Sequence, residues 1–386
     1  MKRIYLDYLA STPVAPEVVE AMLSFIEEHF GNPASIHSFG EKPQEAIFTA
    51  REQVARLLNS KPEEIIFTSC GTEGNNLAIK GIAFANREKG NHIVISAIEH
   101  FSVFYCAKAL EDFGFSVSFV PVDKYGMVDP DDVKKAITDE TILVSVMLAN
   151  NEVGTIQPIE EISKITTELG IFFHCDGVAA VGQIPIDVKK LGVDSLSLAG
   201  NIFYAPKGIG ALYLREGVKL WPLFHGGGQE DGRRTGTENL PGIVGLGKAA
   251  ELAIEKLPFR QEHYRNMINR LKTGIESRID EIYFNGHPEK RLPGNLNVSF
   301  KYVEGEALLL HMDLAGVAVA GASACMSITA KASHVLEAMG ALKDGALGTL
   351  LFTVGDETTT DDIDGALNAL EKVVAKLRAM SPLYKG

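Results

Sequence analysis

The chain has 386 residues, 46% hydrophobic and 23% charged, the composition of a globular protein with a sizeable core. Its formal charge of -13, from 37 basic and 50 acidic residues with no long Lys/Arg run, argues against a nucleic-acid-binding surface and leaves small molecules and other proteins as partners. The opening Met1-Lys-Arg-Ile-Tyr-Leu-Asp turns polar too early for a signal peptide and no apolar run is of spanning length, so a cytoplasmic protein without membrane contact is expected.

From Ile65 onward, short apolar runs alternate with helical patterns. Strands are expected at Ile65-Ile-Phe, His92-Ile-Val-Ile-Ser, Ile142-Leu-Val-Ser-Val, Ile171-Phe-Phe-His and Ala211-Leu-Tyr-Leu. Helices are expected over 72–84, 101–113 and 159–169. That order predicts an α/β protein with a mostly parallel sheet covered on both faces. A long helical pattern over 239–279 leads into a smaller α+β part, with strands at Leu296-Asn-Val-Ser-Phe and Thr349-Leu-Leu-Phe-Thr and a helix over 361–380. The four cysteines, Cys70, Cys106, Cys175 and Cys325, have no C-x-x-C spacing, which argues against a disulfide framework or a self-contained zinc site.

In such sheets, ligands gather at the carboxyl ends of the strands. Thr68-Ser-Cys-Gly-Thr72-Glu-Gly-Asn-Asn76 lies at one such end, where Gly71 permits close approach and Thr72 with the first free N–H groups can hold a phosphate; helix capping by Thr72 is the alternative. Glu99-His100 follows a strand and opens a helix. Asn150-Asn151-Glu152-Val-Gly154 follows another, and an Asn in a left-handed turn would explain one of its members. His174-Cys-Asp176 ends a third strand, and Ser195 to Gly210 enters as an apolar run before a Pro206-Lys-Gly turn. In Gly321-Ala-Ser-Ala-Cys325-Met-Ser, small residues flank a cysteine, as an accessible loop would require.

Together with Leu6-Asp7-x-x-Ala10-Ser-Thr-Pro13, Gly31-Asn-Pro-Ala-Ser-x-His37 and His225-Gly-Gly-Gly-Gln229-Glu230-x-Gly-Arg-Arg-Thr-Gly-Thr237-Glu-Asn239, these segments resemble cysteine desulfurases of the NifS/IscS kind, in the class V aminotransferase fold. The resemblance implies a PLP-dependent-transferase-like large domain of the aspartate aminotransferase type (13–257) and a small α+β domain (1–12 and 258–386) carrying Cys325. It implies a pyridoxal phosphate pocket in which Thr72 holds the phosphate, His100 stacks on the ring, Asn151 contacts the hydroxyl and Asp176 pairs with the pyridine nitrogen, while Thr237 reaches the phosphate of a neighbouring subunit in a homodimer. Cys325 matches the cysteine that carries sulfur to a scaffold protein building iron-sulfur clusters.

The chain departs from the family pattern inside that same pocket. Aligned on the Pro-Lys-Gly turn, the His-Lys pair becomes Asn201-Ile202, so the amine of the Schiff base is replaced by an alkyl side chain. Ala179 and Ala199 replace a Gln and a Ser, and Leu351 and Asp356 align with two arginines, one of which clamps the substrate carboxylate. Lys207, five residues beyond Ile202, is displaced too far across a turn to substitute for the missing amine. The expectation is a desulfurase-like protein with no Schiff base to pyridoxal phosphate, presenting Cys325 to an IscU-like scaffold as a ligand of a shared [2Fe-2S] cluster or as a sulfur acceptor. The alternative is a working desulfurase, turning cysteine into alanine through a Cys325 persulfide, with atypical cofactor binding.

Overall fold

Runs of apolar residues that can be buried on both faces become the central strands. The computed structural model describes residues 3–321, 333–341 and 348–384. After a short β1 (Ile4–Tyr5) and helices α1 (Pro16–Glu27) and α2 (Ser38–Leu58) come β2 (Ile65–Thr68), α3 (Gly71–Ala85), β3 (His92–Ser96), α4 (Phe101–Glu111), β4 (Ser116–Val120) and α5 (Pro130–Ala136). They continue as β5 (Thr141–Ser145), α6 (Ile159–Leu169), β6 (Phe172–Asp176), α7 (Val188–Leu191), β7 (Ser195–Ala199) and β8 (Gly210–Leu214). Among the described residues these strands form a seven-stranded sheet of order β2-β8-β7-β6-β5-β3-β4, in which β3, β4, β5, β6 and β7 pair in parallel and β8 runs antiparallel to both neighbours.

The parallel βαβ plan is as expected, because β2, β3, β5 and β7 are buried at every residue. Strand β4 was not expected. It is an edge strand with mixed exposure, so its sequence, Ser-Val-Ser-Phe-Val, lacks the continuous apolar run.

The pattern over 239–279 is one helix, α8 (Leu240–Arg278), capped by Asn239, whose side chain accepts from Gly242 N. It packs against both parts: Leu240 to Ala253 join the core of the large sheet, whereas Tyr264 to Ile275 join the core of the small one. The small sheet holds β9 (Ile282–Asn285) and β10 (Asn295–Phe300); helix α9 (Gly305–Leu314) and β11 (Val317–Ala318) follow. Then come β12 (Ala320–Gly321), α10 (His334–Ala338), β13 (Gly348–Thr353) and α11 (Thr360–Met380). The small sheet has the order β12-β13-β10-β9, antiparallel throughout, while β11 pairs in parallel with β1.

Candidate functional site

The carboxyl ends of β2, β3, β5, β6 and β7 converge on one cavity of about 350 Å³. Thr72, His100, Asn151 and Asp176 all line it, with Ala179, Ala199, Asn201 and Ile202. Four residues proposed as a frame and four proposed as departures therefore face the same space.

Helix α3 presents its N-terminus to the cavity, where the first N–H groups have no intrahelical acceptor. The close packing needs glycine at position 71, since a Cβ there would lie 2.6 Å from Val178 Cγ2. Thr72 is not the cap; the N-cap position is Cys70, which makes no side-chain capping bond. Glu73 is turned back from the helix start, accepting from Ser69 N at 2.7 Å and from Arg234 Nε at 2.8 Å. Burial pushes its carboxyl up, but Arg234 and Ser69 outweigh this and hold it below the usual range.

A hydrogen-bonded chain fixes the floor. Asp176, 4% exposed, accepts from Asn75 Nδ2 at 2.7 Å and from Val178 N at 3.0 Å. Asn75 also donates to Ser102 Oγ at 2.8 Å, and its Oδ1 meets His174 Nε2 at 3.0 Å. Burial pushes the His174 imidazole down to about 3, so it serves as a neutral donor to Asn75. Ser102 N donates to Nδ1 of His100, the N-cap of α4, and Ser102 Oγ lies 2.7 Å from the same atom. Asn75 thus links the carboxylate to the ring of His100 through Ser102. Asn75 and Ser102 were not singled out in the sequence, although two adjacent Asn residues in the first turns of a helix whose later turns are mostly apolar were a usable signal.

Two further buried carboxyls border this floor. Glu99 is fully buried, accepting from Ser96 Oγ at 2.5 Å and Met147 N at 2.8 Å, while its Oε2 has no hydrogen-bond partner among the described residues. Burial first, and Asp176 second, push it up to about 8 despite those two bonds. Glu152 is pushed up to about 7 by burial, against a single bond from Ser333 Oγ.

The Asn150-Asn151 pair divides its roles. Asn150 is fully buried, donating to Ile98 O and accepting from Glu152 N and Val153 N, so it closes the turn through its side chain; neither Asn is left-handed, as the turn alternative required, and the positive φ falls on Gly154. Asn151 faces the cavity.

At the end of β7, Gly200 to Ile202 form a single 3₁₀ turn that places Ile202, 8% exposed, in the lining. Asn201 donates to Ala10 O at 3.3 Å, and its own carbonyl accepts from Thr12 N at 2.8 Å. Lys207 is exposed in the following turn and is not in the lining. Among the described residues the cavity is lined by neither lysine nor arginine. Cys70, passed over in the sequence, contributes a free thiol to the wall.

Three candidates lie elsewhere. Leu351 is buried in β13, opposite Asn297 and Ala320, and does not line the described cavity. Asp356 also lies outside it: its carboxylate takes a bidentate contact from Arg260, with Nε at 2.9 Å and Nη2 at 3.0 Å, and a bond from Tyr264 Oη at 2.6 Å. Arg260 is 2% exposed, so the acid serves as counter-ion to a buried cation, which corrects its reading as a pocket residue. Thr237 is exposed beside Arg234 and Gly236, outside the cavity of its own chain. Cys325 lies outside the described residues.

A model of the family "Aminotransferase class-V" matches residues 4–364. The chain is 51% identical, over all of its length and 98% of the other's, to a protein of Dictyoglomus turgidum named cysteine desulfurase IscS. It is also 51% identical to one of the same name from Methanosarcina thermophila, over 99% of this chain and 94% of that one. A solved structure titled NifS-like protein superposes with a TM-score of 0.91 at 37% identity, covering 97% of this chain and all of the other.

Proposed function

The chain belongs to the class-V aminotransferase family, among its IscS-type cysteine desulfurases, and on that premise we propose that it acts in iron-sulfur cluster assembly without a Schiff base to pyridoxal phosphate. The cavity fits that cofactor only in part. The N-terminus of α3 with Thr72 suits a phosphate, Asp176 a ring nitrogen, and His100 a ring face. Among the described residues none that lines the cavity carries the amine that would hold the aldehyde, and the observation that carries the proposal is Ile202 closing the end of β7 where the family aligns its lysine. No reaction step is therefore assigned to the cofactor.

What remains for the chain to offer is the thiol of Cys325. A thiolate is a soft ligand for iron and an acceptor for sulfur. Among the described residues no group of His, Cys, Asp and Glu could hold a metal ion, so a [2Fe-2S] cluster on Cys325 would take its remaining ligands from an IscU-like scaffold. The chain would act as a homodimer in the cytoplasm, with Thr237 serving the neighbouring subunit. Among the described residues no helix is long and apolar enough to cross a membrane. The test is the absorption spectrum of the purified protein with and without its scaffold: a cluster signal that requires Cys325, and is lost in Cys325→Ser, is expected, and an unchanged spectrum in that variant overturns the ligand role.

A second reading is favoured by the relatives' names more than the first is: a working desulfurase, converting cysteine to alanine with cofactor held noncovalently or on Lys207. Alanine released from cysteine by the purified protein would establish it, and loss of that activity in Lys207→Ala would assign the amine.

A further inference from the structure

Two residues past Ile202 the backbone takes a conformation that a side chain makes costly. Tyr204 has a φ of +72°, in the left-handed region, although it carries a Cβ and is 6% exposed. Such a residue persists only where its surroundings hold it, and Tyr204 is held at both ends. Its N–H donates to Thr12 Oγ1 at 2.8 Å, and its carbonyl accepts from Ala15 N at 3.1 Å. The same Thr12 hydroxyl donates to Asn201 O at 3.1 Å, so one side chain closes the turn from Asn201 to Tyr204.

The phenol reaches the other way, toward the small sheet. Its oxygen accepts from Asp356 N at 2.6 Å and lies 3.0 Å from Tyr264 Oη. Tyr264 gives its own proton to Asp356 Oδ1 at 2.6 Å, so between the two phenols Tyr204 is the donor. Burial first and Asp356 second push the Tyr204 phenol up, which keeps that proton in place. Arg260 completes the cluster: its guanidinium pairs with Asp356, and its Cζ lies 4.5 Å from the centroid of the Tyr204 ring. Asp356 follows the end of β13, and Tyr264 belongs to the core of the small sheet, whereas Tyr204 belongs to that of the large one. The turn that puts Asn201 and Ile202 in the cavity lining is therefore tied to the small sheet through this hydroxyl.

We propose that Tyr204 is a positioning residue for the cavity: its hydroxyl, bound to Asp356 and Tyr264, holds Ile202 across the end of β7, so that the small sheet sets the width of the ligand space there. Ile202 has an alkyl side chain with nothing to hydrogen-bond, so its placement depends on its neighbours in the turn. The inference rests on the reading of Ile202 as the residue that closes this cavity.

The test places a thiol at the positioned residue, Ile202→Cys in the full-length chain, and follows its alkylation by iodoacetamide through peptide mass mapping. Cys70, elsewhere in the same lining, is the internal control. Adding Tyr204→Phe, which removes the hydroxyl and keeps the ring, should speed alkylation at position 202 by about fivefold, with Cys70 unchanged. A rate at position 202 that Tyr204→Phe leaves unmoved, or a parallel rise at Cys70, would overturn the inference. If the double variant does not fold, amide hydrogen exchange in Tyr204→Phe alone decides. Faster exchange at Phe203 and position 204 with β8 unchanged supports the inference, and unchanged exchange there overturns it. Failure of the underlying reading is seen separately, as a stoichiometric pyridoxal phosphate adduct on Lys207 in a chain whose position 202 still answers to Tyr204→Phe.

Discussion

Asn75 Nδ2 lies 2.7 Å from Asp176 Oδ2, and this contact organises the candidate site. Asn75 is 1% exposed and spends each of its polar atoms on a neighbour: Asp176, Ser102 and His174. The carboxylate facing the cavity is thus held by amides, with no cation in the described wall.

Replacing Asn75 with alanine should be costly, because it removes one hydrogen bond from a buried carboxylate and one from a buried imidazole at once. A loss of about 2–4 kcal/mol is expected in chemical denaturation. Asn75→Asp should also destabilise, by setting a second carboxylate against Asp176. A variant as stable as wild type would show that the network is not holding the floor.

The buried acids and His174 make opposite pH demands. Glu99 binds a proton more tightly folded than unfolded, its value rising from 4.5 to about 8, so its contribution is complete below pH 4.5 and is lost as pH rises through 8. His174 falls from 6.5 to about 3, so its contribution is complete above pH 6.5 and is lost as pH falls toward 3. Between pH 6.5 and 8 stability should therefore decline with a slope of up to about 1.4 kcal/mol per pH unit from Glu99. Glu99→Gln should flatten that decline in melting measurements at pH 6.5 and 8.5; equal slopes in the two proteins would contradict the assignment.

Arg260 and Asp356 stand or fall as a pair. Asp356→Ala leaves a guanidinium that is 2% exposed without its anion and should cost about 3–5 kcal/mol. Asp356→Arg, which restores the residue type aligned in the family, should destabilise further by setting two cations together. An Asp356→Arg variant as stable as wild type would mean that the side chain is free to turn elsewhere.

Much of the site was legible in the sequence because the parallel strands are buried on both faces and end in polar turns. The runs at His92 to Ser96 and Ile65 to Phe67 announce strands, and Thr72, His100, Asn151 and Asp176 follow strand ends. The misses have a common cause. Asp356 meets Arg260, and Asn75 meets Asp176, across 96 and 101 residues, and no local periodicity encodes such a meeting. Glu152 read as part of an Asn-Asn-Glu turn, yet its side chain serves a helix 181 residues later. The edge strand β4 was lost for a different reason, its mixed exposure at the border of the sheet.

Among the described residues the cavity has no amine able to hold pyridoxal phosphate. The most direct measurement is to incubate the purified protein with pyridoxal phosphate, reduce with borohydride and read the intact and peptide masses. No adduct within the cavity is expected in the wild-type chain, and an adduct at position 202 is expected in Ile202→Lys. A stoichiometric adduct on Lys207 of the wild-type protein would contradict this expectation.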